Sequence, residues 1–484
     1  MRRRTAVFAA ALASAAGVAT SSAVAQVTIT PVLMEGEFLD PVGAITSIAN
    51  LAVNDGGEWL AEVDTDNPDT EADGALVKNG VLFLREGQVL GTSGRLLDSF
   101  GAVNLSNAGD FAGNIFLDGP ISNDSGLFFN ADRIFEETHI STAAGFSAGT
   151  VYTGFFDGHL NNNNQLLFVV SVDDPALAGT TNRALVRIDY TPGTGAFTET
   201  VLAKQDDTIP GMVGPLTEIE TSPYEIDFND AGEYIFIPNA GTVEHIFLGT
   251  TLLAVEGGDS PVAGRPWLSL GTSAVGINNT AQYVYTGQLS GDTATDLVIV
   301  RNGQVFRQEG DPVPGMPQFA LQSFGTSRIV DIADDGSVLW YGDWNDPDTT
   351  RDSGLFVGDQ LLVQEGVTQV ATSQGTLTVL SVGSVQDTYA ISDDGRYVLA
   401  EVVLQGATTL DTLLLIDLGA GSACYANCDD STTAPVLNVA DFTCFLQRFA
   451  AGESYANCDG STTPPVLNVA DFTCFLQSFA AGCP

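Results

Sequence analysis

One pattern returns seven times along the chain: VNDGGEWLAEV, LSNAGDFAGNI, LNNNNQLLFVV, FNDAGEYIFIP, INNTAQYVYTG, IADDGSVLWYG and ISDDGRYVLAE. Its turn glycine, or the residue standing in for it, falls at Gly57, Gly109, Asn164, Gly232, Ala281, Gly336 and Gly395. The spacings run from 49 to 68 residues, the range of a β-propeller blade with loop insertions. Asn or Asp followed by Gly supplies the side-chain-bonded turn and the positive φ that a tight hairpin needs.

The residues after each turn select the architecture. Two places beyond the glycine stand Trp59, Phe111, Leu166, Tyr234, Tyr283, Val338 and Tyr397, followed by Leu60, Ala112, Leu167, Ile235, Val284, Leu339 and Val398. Consecutive residues point to opposite faces of a strand, so both faces are apolar, whereas a strand with one wet face alternates. A second hairpin closes each unit, as in GALVKNGVLFLREG and SGLFVGDQLLVQEG. The seventh unit stops after three strands, at TLLLIDLG. Its missing fourth strand is expected from VLMEGEFLDPVG near the other end of the chain, with Val32–Glu37 beside Leu413–Leu418. That pairing closes a ring and removes its exposed edges. The expected fold of 27–420 is an all-β propeller of seven blades; six or eight blades, or a β-solenoid, remain open.

These units resemble the NxxGxxxF tandem repeats of bacterial exported proteins that carry interchangeable C-terminal anchoring modules. Phe168, Phe236, Tyr285 and Trp340 match the last position, and Ala61 and Gly113 depart from it.

The opening MRRRTAVFAAALASAAGVATSSAVAQ has the basic start, apolar run and small-residue cleavage site of a secretory signal peptide over 1–25. No later stretch reaches the roughly 18 apolar residues of a membrane span. The expected location is outside the cell, secreted or on its surface. Removing the three leading arginines takes the formal charge from −43 to −46. Such an excess of carboxylate repels nucleic acid and suits a salty medium, where charge is screened, or a protein that collects divalent cations.

All six cysteines lie in the last 61 residues, a pattern that reads as a disulfide framework in an exported chain. The same region contains a tandem copy, YANCDDSTTAPVLNVADFTCFLQRFAAG and YANCDGSTTPPVLNVADFTCFLQSFAAG, differing at 430/460, 434/464 and 448/478. In the second copy Val469, Phe472, Phe475, Leu476 and Phe479 follow a helical stripe. Asn468 with Asp471 makes an N-cap signal, and Gly482 a stop.

Acidic loop, helix, acidic loop, helix resembles a dockerin over 424–484, in the cysteine-containing variant found in bacterial surface proteins. The resemblance implies calcium as cofactor, with Asn427, Asp429, Asn438 and Asp441 as ligands in one copy and Asn457, Asp459, Asn468 and Asp471 in the other. Tyr425 and Tyr455 stand where the usual loop has its first Asp, and a register starting at Asn427 and Asn457 is the alternative. The resemblance further implies a cohesin-like partner or surface scaffold, contacted through Val439-Ala440 and Val469-Ala470. Six cysteines permit fifteen connectivities. Pairing Cys428 with Cys444 and Cys458 with Cys474 staples loop to helix identically in each copy, leaving Cys424 and Cys483 to clasp the module's ends.

No catalytic signature is present in the propeller region: no HExxH, GxSxG or GxxxxGK[ST]. His139, His159 and His245 fall in different units without metal-ligand spacing and read as ordinary surface or strand residues. Two acidic loops, VDTDNPDTEAD and GDWNDPDTTRD, place Asp64, Asp66 and Asp69, and Asp343, Asp346 and Asp348, where a hard cation or other ligand can be held through oxygen. By strand order they share a face with the blade connections, the expected place for a glycan or protein ligand. The leading expectation is a secreted, non-enzymatic binding or scaffold protein. The alternatives are an extracellular polysaccharide-degrading enzyme with a catalytic propeller, and a C-terminus that serves as a sorting tag and is processed off.

Overall fold

The computed structural model describes residues 27–419 except 92, 180–181, 272 and 385–386, and in the C-terminal region 426, 428, 437–452, 456–458 and 466–481. The expected signal peptide, Asn427, Asp429, Asp459 and the Cys424–Cys483 pair lie outside the described residues.

Seven antiparallel sheets follow one another along the chain. Each has an inner strand that runs into its Asn/Asp turn: Gly43–Val53, Asn104–Leu105, Val151–Leu160, Ile226–Phe228, Val275–Ile277, Val330–Ile332 and Tyr389–Ile391. The Asn/Asp turn then leads into the second strand: Trp59–Thr65, Phe111–Leu117, Gln165–Asp173, Tyr234–Phe236, Tyr283–Leu289, Val338–Trp344 and Tyr397–Gln405. In blades 1 to 6 a hairpin such as Gly74–Lys78 with Val81–Arg85 finishes the sheet.

Both faces of the second strands are covered. Trp59 and Leu60, Phe111 and Ala112, Leu166 and Leu167, and Val338 and Leu339 are all buried. The core is accordingly divided into seven layers, one between each pair of neighbouring blades. Leu60 and Leu76 of blade 1 pack with Phe111 and Phe128 of blade 2, and so on around to Leu399 and Leu413 of blade 7 against Ile48 and Val63 of blade 1. Each such side chain, fully buried, contributes about 1.5–3 kcal/mol. In blade 6 Trp340 stacks on Phe356 at 4.4 Å between centroids and donates Nε1–H to the Gly358 carbonyl at 2.9 Å.

The ring closes through the first strand, Thr28–Met34, which pairs antiparallel with Thr409–Asp417 from Thr28 opposite Asp417 to Met34 opposite Thr412. This corrects the expected segment, Val32–Glu37, which starts four residues too late. The reason is local. Gly36, at φ +85°, turns the chain after Glu35, Glu35 donates its N–H to Asp411 O, and Glu37 is drawn into blade 1 by the Ile45 N–H.

A second repeat runs around the rim. A glutamate just after the outer strand accepts hydrogen bonds at the start of the third strand of its own blade: Glu86 from Gly74 N–H, Glu137 from Asp124 N–H, Glu309 from Asp296 and Leu297 N–H, and Glu365 from Ser353 Oγ–H. In blade 7 the N-terminal strand supplies the equivalent, Glu35, for Asp411 N–H at 3.1 Å. All but Glu365, which takes a hydroxyl, accept from backbone N–H groups at the strand start.

In the C-terminal region, helix α1 (Val439–Ala451) and helix α2 (Val469–Ala481) are the two tandem copies. Each opens on a reciprocal cap. Asn438 accepts from Ala440 N–H while Asp441 accepts from Asn438 N–H, and Asn468 and Asp471 repeat the arrangement. α1 ends at Gly452 in the left-handed region. Phe445 and Phe475, both buried, stack at 4.1 Å between centroids, with Phe442, Phe449, Phe472 and Phe479 around them. Disulfides join Cys428 to Cys444 and Cys458 to Cys474. The expected stripe needs one correction: Val469 and Leu476 point outward, since Phe472, Phe475 and Phe479 alone face the partner helix.

Candidate functional site

Ring closure brings the seven Asn/Asp turns together around the axis, and they bond to one another. Asp55 N–H donates to Asn107 Oδ1, Asn107 N–H to Asn162 Oδ1, Asn162 N–H to Asp230 Oδ1, Asp230 N–H to Asn279 Oδ1 and Asn279 N–H to Asp334 Oδ1, at 2.7–2.9 Å. Asp334 N–H continues to the Asp393 carbonyl at 2.7 Å. Asp394 N–H returns to Asp55 Oδ1 at 2.8 Å. The turn residues thus form a closed belt. Across it, Asn162 of blade 3 donates Nδ2–H to Asp393 Oδ2 of blade 7 at 3.0 Å. These blades are not neighbours, so the contact crosses the axis and narrows the turn end of the channel.

Behind the belt lies an axial cavity of about 250 Å³. The position two residues before each turn's first residue reads Ala52, Asn104, His159, Asp227, Gly276, Asp331 and Ala390, and all seven line the cavity except Gly276. Ala52 and Ala390 make one wall apolar; the polar groups face them. His159 Nδ1 stands 3.6 Å from Asp227 Oδ1. Asp227 accepts from Ile277 N–H of the next blade and from Phe228 N–H, both at 2.7 Å. Asp331 Oδ1 accepts from Ile332 N–H at 2.7 Å. Asn104 donates to the Gly158 carbonyl at 2.9 Å. Gly276 stands between the two acids in blade order; a Cβ there would lie 3.2 Å from Val284 Cγ1 and 3.6 Å from the Asp331 Cα.

Burial pushes the Asp227 carboxyl up to about 7 against its two backbone donors. Burial, then the Asp227 charge, raises Asp331 to about 7. Asp393, at the belt, is raised to about 7 by burial and by the charge of Asp55. Convergent polar groups of this kind in a cavity are the usual mark of a binding site. Reading the histidines one at a time missed this set. The available signal was the shared offset from the turn, which puts His159, Asp227 and Asp331 at one level of the ring.

The other two histidines sit elsewhere. His139 packs on Phe135 and Tyr152 near Glu199. Burial alone would raise Glu199, but hydrogen bonds from His139, Thr142, Tyr152 and Ser141 hold it at about 2. His245 is fully buried, its Nε2 accepting from Val213 N–H at 3.4 Å.

The acidic loops hold themselves. Asp64 accepts from Ser47 Oγ–H, Asp66 from Ala44 N–H and Asp69 from Glu71 N–H. Asp346 accepts from Asp348 N–H and pairs with Arg351 at 3.1 Å, and Asp348 accepts from Thr350. Burial raises Asp343 to about 6, helped by the Asp352 charge. Among the described residues no group of three or more His, Cys, Asp or Glu side chains is placed to hold a metal ion.

In the C-terminal module, Asn438, Asp441, Asn468 and Asp471 sit at the helix caps, with both Asp side chains fully buried, and Asn457 is partly buried. Val439 and Val469 are each 79% exposed, Leu446 and Leu476 each 42%, and Ala440 and Ala470 are exposed beside them. Among the described residues no helix is long and apolar enough to cross a membrane.

No family model and no curated protein matches the chain. Similar solved structures include polysaccharide lyase Uly1, at TM-score 0.27 and 12% identity, covering 50% of this chain and 55% of that one. A protein of unknown function from Dyadobacter fermentans has TM-score 0.31 and 10% identity, covering 80% and 99%. Trypanosoma rangeli sialidase in complex with sialic acid has TM-score 0.30 and 9% identity, covering 91% and 62%. The chain thus spans about half the length of the lyase and less than two thirds of the sialidase.

Proposed function

We propose that this is an exported binding and scaffold protein, an acidic propeller presented by a dockerin-like, calcium-binding C-terminal module that docks on a cohesin-like domain of a surface or scaffold. One observation carries the docking part: Val439 and Val469, the expected contact residues, are equally exposed at 79% on two capped, disulfide-stapled helices. Burying such side chains needs a partner, and two equivalent apolar corners on a small module make a docking surface. The signal-like N-terminus and two disulfides support an oxidising, extracellular setting. The calcium part rests on the sequence resemblance; Asn438/Asp441 and Asn468/Asp471 stand at the helix starts, where they cap the helices.

The test is capture of a cohesin-like domain from the source's surface extract by the immobilised full chain, with calcium and again with a chelator. Calcium-dependent capture, lost when Val439, Ala440, Val469 and Ala470 are all changed to Asp, is the expected result. Release of sugars from polysaccharides by the full chain would replace this reading with a catalytic propeller. A native intact mass lacking the last 61 residues would make the module a processed tag.

A further inference from the structure

We propose that the axial cavity binds a small polar molecule through a protonated amine, held between Asp227 and Asp331 beside His159. The inference deepens the binding-protein reading above by naming what the propeller takes, and it rests on that reading.

The cavity's own chemistry sets the ligand's charge. Its lining contains His159 and several aspartates and neither Lys nor Arg, so it offers an anion no cationic partner beyond His159 and offers a cation several carboxyl acceptors. Asp227 accepts one hydrogen bond on each oxygen, from Ile277 and Phe228 N–H, which fixes the carboxylate in place and leaves each oxygen a further lone pair. Asp331 is less engaged: one oxygen accepts from Ile332, and among the described residues the other takes no hydrogen bond. Asp227 and Asp331 both line the cavity from the inner strands of blades 4 and 6, and the strand between them carries Gly276, without a side chain, at the equivalent position. An ammonium group brings three donors and no acceptor, and charge-assisted bonds to carboxylate are the strong kind.

Size and shape add to this. A volume of about 250 Å³ exceeds what one ammonium or a bare ion fills, so the amine must carry a body. The Ala52 and Ala390 wall receives its apolar side. The Asn162–Asp393 contact narrows the turn end. The other end is lined by the partly buried Asn50, Val103 and Tyr224, so the ligand enters away from the belt. A metal ion is the poorer match, since among the described residues no three such donors are placed to hold one. An amino sugar and an aliphatic diamine share the required chemistry.

Isothermal titration of the full chain at neutral pH tests the proposal, with glucosamine, cadaverine, glucose and glucuronate as probes. Glucosamine, cadaverine or both should bind at least about tenfold more tightly than glucose, with glucuronate weakest; which amine binds identifies the source. Asp331→Asn keeps the shape and removes the charge, and should cost about tenfold in affinity or more. Asp227→Asn should do the same and serves if the first variant fails to melt like the parent. The proposal is overturned if neither amine binds at about 10 mM, if glucose binds as tightly as the better of the two amines, or if both variants fold and keep the parent's affinity. Cohesin capture is scored separately, so a chain that docks but ignores amines loses this inference alone.

Discussion

Asp394 donates its backbone N–H to Asp55 Oδ1 at 2.8 Å, although 339 residues separate them. This bond joins the last turn to the first and completes the belt around the axis. Asp55 also accepts from Asn107 Nδ2–H at 2.7 Å, so one carboxylate ties three blades together. Replacing Asp55 by Ala should leave both donors without that acceptor and lower stability by about 1–2 kcal/mol. Asp55→Asn, which keeps the acceptor for Asp394, should lose less. Urea unfolding of both variants checks this, and equal losses would show that the belt bond is not the cause.

The N-terminal strand supplies the outer edge of blade 7. Deleting residues 26–34 should lower the melting temperature sharply, because Thr409–Asp417 then presents an unpaired edge and the layer containing Leu33 and Leu413 loses packing. An unchanged melt would mean that the ring does not depend on this strand.

Acidity should stabilise the propeller down to moderately low pH. Burial raises Glu62, Glu86, Glu225, Glu401, Asp227, Asp331 and Asp393 to about 7. In the unfolded chain they titrate near 4, so between about pH 4 and 7 the folded state holds more protons and stability falls as pH rises. Glu199 works the other way. Held at about 2, it contributes stability above its unfolded value that is lost as pH falls from about 4 toward 2. The melting temperature should therefore peak near pH 4–5 and decline toward pH 8 at constant salt. A flat or rising profile between pH 5 and 8 would contradict the assignment.

Each described disulfide closes a separation of 16 residues. Changing Cys428 and Cys444 together to Ser should cost the module about 3 kcal/mol on the chain-entropy account, and the equivalent change at Cys458 and Cys474 a similar amount. Limited proteolysis of the full chain reads this as earlier cleavage between 424 and 484. Peptide mapping without reduction should also find Cys424 linked to Cys483.

On the docking proposal, equal exposure of Val439 and Val469 predicts two equivalent orientations. Changing Val439 and Ala440 to Asp should cost only the statistical factor of two, about 0.4 kcal/mol, and adding the change at Val469 and Ala470 should abolish docking. A loss above tenfold, about 1.4 kcal/mol, from the first pair alone would end the idea of two equal faces.

The sequence alone determined the repeat unit and that a strand from the other end of the chain closes the seventh, though it placed that strand at Val32–Glu37 rather than Thr28–Met34. Turn chemistry is local, so the Asn/Asp turns were legible one by one. Strands with two apolar faces require a sheet on each side, and a seventh unit short of one strand requires a donor from elsewhere. The helices were legible for the same reason, through Asn438 and Asn468 at their caps and phenylalanines at helical spacing. Even there, the outward turn of Val469 and Leu476 needed the partner helix to be seen. What ring closure decided is whatever depends on distance between units. The turn Asn and Asp residues proved to bond blade to blade, and Glu35 to accept from Asp411 N–H, 376 residues away, as the rim glutamates do within their own blades. His159, Asp227 and Asp331 share no local motif, because the position they occupy is unconstrained by the turn and varies from Ala to Gly to Asp. Only the circle, by placing seven such positions at one height around an axis, makes them a site.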